Sequence, residues 1–210
     1  MLRRLIAPVA LVFALSACAP APAPTGAGAP APPTPSAVPT PAPTAAVDVP
    51  IAQSTLAPVR EAVPPVRVQI GAAGIDIEVI PVGVEAGGFM ELPENPAIAG
   101  WYRFGSDPWS PDGNTVISAH IDAPEYPIGP FAELRGLAPG SEVTVLGGDG
   151  AAAVYDVVSV TYYPKQDLPT DDIFARVGTR ALVLITCGGA FDSSTGRYAD
   201  NVVVVAAPRV

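Results

Sequence analysis

Fourteen of the chain's 27 prolines fall between residues 20 and 65. Proline fixes φ near about −65° and carries no backbone N–H. Runs such as Ala21-Pro22-Ala23-Pro24 and Ala31-Pro32-Pro33-Thr34-Pro35 therefore favour extended polyproline II and cannot build a packed core. At about 3.1 Å per residue the segment reaches on the order of 100 Å when extended. What packs must lie after it, in residues 66–210, long enough for one substantial core.

The other end of the chain reads as an export signal. Arg3 and Arg4 supply a positive start, and Leu5 to Leu15 form an apolar run. That run is shorter than the roughly twenty residues a membrane-spanning helix needs. Leu15-Ser16-Ala17-Cys18 resembles a bacterial lipobox. The resemblance implies cleavage before Cys18 and lipid on its sulfur and new amino group, giving a lipoprotein tethered to the envelope outside the cytoplasm. The expected division is a signal peptide at 1–17, a lipidated, disordered linker at 18–65 and a folded domain at 66–210.

That domain carries 8 Lys/Arg against 18 Asp/Glu. A nucleic-acid partner is excluded, because phosphate neutralisation needs clustered cations. With Cys18 lipidated, Cys187 is the one thiol left, so no intrachain disulfide forms. His120 is the only histidine. Zinc is excluded as well, since one imidazole and one thiol do not make a tetrahedral site. Asp167, Asp171 and Asp172 are too loosely spaced for a recognised calcium loop and read as a solvated charge cluster.

Periodicity within 66–210 is that of strands. Val66 to Ile70 and Ile75 to Val79 alternate apolar and polar residues. Thr115 to Ile121 and Ala181 to Thr186 are more continuously apolar, as central strands are. Glu142 to Leu146, Val154 to Tyr163 and Asn201 to Ala206 complete the set, with Gly and Pro punctuation between them. Short helices fit only at 129–134 and 171–175. Seven or eight strands with no βαβ alternation predict an all-β, closed or nearly closed barrel.

Any chemistry needing both an imidazole and a sulfur nucleophile must use His120 and Cys187. Cys187 follows a strongly apolar strand and precedes Gly188-Gly189. His120 lies near the end of its own strand, followed by Asp122-Ala123-Pro124-Glu125. Two strand ends at one rim of a barrel would bring nucleophile and base together.

The segment Leu184-Ile185-Thr186-Cys187-Gly188-Gly189-Ala190-Phe191-Asp192, continuing through Thr195-Gly196-Arg197-Tyr198-Ala199-Asp200-Asn201-Val202-Val203-Val204, resembles the active-site strands of sortases, the class F branch in particular. Ala99-Gly100-Trp101-Tyr102, Thr115-Val116-Ile117-Ser118-Ala119-His120-Ile121-Asp122, Phe131-Ala132-Glu133-Leu134 and Leu168-Pro169-Thr170-Asp171 match the same pattern in order. The resemblance covers essentially all of 66–210. It implies an eight-stranded barrel with one or two short helices. It also implies a cysteine transpeptidase in which Cys187 attacks the Thr–Gly amide of an LPXTG-type surface protein and His120 acts as general acid and base. An amine acceptor, typically a peptidoglycan precursor, would resolve the thioacyl-enzyme. No metal or organic cofactor and no partner subunit is implied.

The resemblance further implies an arginine at the site. Arg197, the only arginine between Cys187 and the final strand, is the candidate. Strand alternation puts Arg197, Ala199 and Asn201 on one face if that strand begins early enough. Asn201 could share the role, and Arg103 and Arg135 are the other arginines considered.

Overall fold

The computed structural model describes residues 60–209. The expected signal peptide, Cys18 and the linker up to residue 59 lie outside the described residues. Eight strands follow in chain order: β1 (Pro65–Ile70), β2 (Ile75–Val82), β3 (Ile98–Tyr102), β4 (Asn114–Ser118), β5 (Glu142–Gly147), β6 (Ala152–Pro164), β7 (Ala181–Asp192) and β8 (Arg197–Pro208). They close into a barrel in the order β1-β2-β3-β4-β7-β8-β6-β5. β1 completes the ring by pairing with both β2 and β5, which leaves no free sheet edge. Two of the pairings, β2–β3 and β4–β7, are parallel.

Side-chain alternation divides the apolar residues between the two faces. Val68, Ile77, Ile117, Val145, Leu184 and Val204 belong to one buried cluster. Val116, Val183, Ile185 and Val203, their neighbours in sequence, belong to a second. The second cluster is covered by Ile173 of the single α-helical turn, α1 (Thr170–Ile173), and by Tyr102, Phe174 and Leu168. A 3₁₀ segment at Pro130–Gly136 buries Phe131, Ala132 and Leu134. The two expected helices thus exist as one 3₁₀ segment and one turn.

Several strand bounds differ from the sequence expectation, and β4 ends at Ser118 rather than Ile121, so His120 lies past its last residue. β3 was not assigned as a strand, because Gly100 interrupts its pattern. A Cβ at Gly100 would lie 2.9 Å from Val82 Cγ1, so only glycine lets β2 and β3 approach this closely. β7 runs six residues past Thr186, and β8 starts at Arg197 rather than Asn201. The cause is mutual pairing: Gly188 faces Asp200, Phe191 faces Tyr198 and Asp192 faces Arg197, with a bulge between Gly188 and Phe191. Cys187 therefore lies within a paired strand, and its glycines continue a long hairpin instead of a flexible loop.

Candidate active site

The parallel register of β4 and β7 sets the position of both candidate groups. Ser118 is the Cα partner of Ile185. His120 and Cys187 each lie two residues beyond that pair, Cys187 within β7 and His120 past the end of β4. Three hydrogen bonds join the segments that lead to them. Ala119 N–H and Ser118 Oγ–H both donate to Ile185 O, at 3.2 Å and 3.0 Å. Thr186 Oγ1 donates to Ala119 O at 2.8 Å. Alternation within β7 puts Cys187 on the face of Val183 and Ile185, members of the second cluster. His120 and Cys187 are both half-buried. On the other side of β7, Cys187 faces Asn201 of β8.

Cys187 also lines a cleft of about 170 Å³ at the barrel rim, together with Thr186, Gly188, Gly189, Tyr198 and Arg135. His120 is not among the residues that line it. The glycines are sterically required here. A Cβ on Gly188 would sit 2.5 Å from Val202 Cγ2, and one on Gly189, at φ +74°, would collide with the Asp200 carboxylate.

Tyr198 donates a 2.6 Å hydrogen bond to Asp122 Oδ2 from the cleft wall. That bond, with partial desolvation and the nearby Asp122 charge, raises the phenol above its ordinary value, and Arg135 opposes the shift. The ring also packs against Phe191, centroids 5.0 Å apart.

Arg197 is exposed at the first position of β8, facing Asp192 beside the hairpin turn. Since β8 begins there, Arg197 does share a face with Asn201. It stands four positions, about 13 Å, along the strand from Asn201. Arg135, from the 3₁₀ segment, is the cleft's one cationic lining residue and takes part in no salt bridge among the described residues. Sequence reasoning gave Tyr198 and Asp122 no role. They are 76 residues apart, and no local pattern signals their contact. Trp101 is a packing residue, 3% exposed.

In fold the chain is similar to the pilus-related sortase C of Group B Streptococcus, with 17% identity, 73% of this chain and 70% of that one covered, and a TM-score of 0.52. It is similar also to the Group B Streptococcus Pilus Island 1 sortase C2, at 18% identity over 75% and 83% of the two chains, TM-score 0.53. A third similar structure is sortase C-1 of Actinomyces oris, at 18% identity over 69% and 73%, TM-score 0.51. No curated protein matches the chain in sequence. The sortase domain matches residues 68–209, the whole of the barrel from early β1 to the last described residue, and the chain belongs to the sortase family.

Proposed function

We propose that this protein is a class F-like cysteine transpeptidase that cleaves an LPXTG-type sorting signal and transfers the acyl group to an amine at the cell surface. The observation that supports the reading is the β4–β7 register, whose last pair, Ser118 and Ile185, comes two residues before the only histidine and two before Cys187. The Cys187 thiolate attacks the threonine carbonyl carbon, and the Thr–Gly bond breaks as His120 gives its proton to the departing glycine amine. His120 then takes a proton from the incoming amine, which displaces sulfur from the thioester and regenerates the thiolate.

For the cationic role we favour Arg135 over Arg197. Arg135 lines the same cleft as Cys187, whereas Arg197 is not among the residues that line it. The substrate and acceptor belong to the same proposal, a surface protein and a peptidoglycan-type amine. So do a monomeric state and anchoring as a lipoprotein through Cys18.

A panel of LPXTG peptides, with mass spectrometry of the trapped enzyme, tests this. The native protein should carry the acyl group on Cys187 and pass it to an added amine. Cys187→Ala and His120→Ala should remove turnover while keeping the fold. Arg135→Ala should lower kcat/KM more than Arg197→Ala, and the reverse order would return the role to Arg197. Resolution by water alone would make the protein a hydrolase. Peptide binding without any acyl-enzyme would overturn catalysis in favour of a binding barrel, a reading supported by Asn201, not an arginine, facing Cys187.

A further inference from the structure

We infer that Tyr198 and Asp122 form a positioning clasp that locks the His120 loop to the β7–β8 hairpin across the strand carrying Cys187. The inference rests on the roles proposed for Cys187 and His120. In the barrel β7 lies between β4 and β8. Asp122 follows β4 by four residues and lies two after His120, while Tyr198 is the second residue of β8. Their 2.6 Å hydrogen bond therefore spans the full width of β7, about 10 Å between the flanking backbones. It crosses where Gly188 and Gly189 carry no side chain and where both glycines and Tyr198 wall the cleft.

Each half of the clasp is fixed by contacts of its own. Phe191 stacks on the Tyr198 ring, and Tyr198 is the Cα partner of Phe191 in the hairpin. On the other side, Gly129 N–H donates to Ile121 O at 2.8 Å and Tyr126 N–H to Ala123 O at 3.1 Å. These bonds fold the segment after His120 back on itself, with Glu125 at φ +70° completing the turn. Beyond Ala119 no ladder bond to β7 holds the loop. The phenol–carboxylate bond is its one side-chain tie to the hairpin among the described residues. A charge-assisted bond of this length is stronger than a neutral one. The raised phenol value keeps the donor proton in place at any neutral pH.

Tyr198→Phe is the cleanest test, because it deletes the hydroxyl and keeps the ring on Phe191. Two readouts are needed. His120 is the only histidine, so its imidazole Cε1–H proton gives a single NMR resonance that requires no substrate. That signal should shift and broaden in Tyr198→Phe and Asp122→Ala. It should return toward the native position in Asp122→Asn, whose amide oxygen can still accept the phenol proton. With a cleavable peptide, kcat should fall about tenfold in the two disruptive variants. KM should stay within about twofold, and the double variant should lose no more than either single one. An unmoved His120 resonance overturns the clasp whether or not a peptide is turned over. So does a loss confined to KM, which would make Tyr198 a peptide contact, and so does an Asp122→Asn variant as damaged as Asp122→Ala.

Discussion

Gly189 and Gly196 both hold positive φ, +74° and +66°, yet they differ in what surrounds them. Gly196 closes the hairpin turn with open space around it. Its amide donates to Asp192 O at 2.8 Å, and the Asp192 carboxylate accepts from Ser194 and Thr195. Gly196→Ala should cost only the left-handed strain, about 1–2 kcal/mol. Gly189→Ala carries the same strain and drives a Cβ into Asp200, one residue from the partner of Cys187, so its cost should be larger. Denaturant unfolding of the two variants checks the order, and equal costs would show that Asp200 moves aside freely. The sequence marks both glycines as punctuation. It does not distinguish a turn from a close approach, because the collision partner comes from another strand.

At the scale of elements, the pairing of β4 with β7 aligns the site. Thr186→Val removes one buried hydroxyl and its 2.8 Å bond to Ala119 O while keeping the side chain's shape. Stability should fall by about 1 kcal/mol. That corresponds to about 2–4 °C in Tm. Turnover should fall further, by about tenfold, because this bond ties the residue before Cys187 to the residue before His120. A variant with lowered Tm and native turnover would show that this bond is structural only. The strands that flank the site were legible because their apolar runs are continuous, as in Leu182 to Ile185. The extension of β7 past Cys187 was not, since Gly188 and Gly189 are poor strand formers held by pairing with β8.

For the whole molecule, the segment that leads into β1 is held by the buried Asp107 carboxylate. Asp107 has a side chain 1% exposed and pairs with Arg60, which precedes β1. The same carboxylate accepts from Trp109 N–H at 2.8 Å, and Arg60 also reaches Ser110 Oγ at 3.0 Å. Arg60→Ala in the full chain should lower Tm by about 2–4 °C, since the half-exposed guanidinium is screened by water. Asp107→Ala should cost more, about 1–3 kcal/mol, because it also removes the acceptor of the part-buried Trp109 amide. Thermal unfolding with a peptide-cleavage assay checks both, with turnover expected to be native in Arg60→Ala. The sequence by itself determined the division of labour. Alternation marked the strands, and scarcity left one imidazole in the chain and one thiol, Cys187, among the described residues. Only the tertiary structure decided which groups join them. Strand order and register brought Arg135 to the cleft that Cys187 lines, and Asp122 within hydrogen-bond reach of Tyr198, 76 residues away.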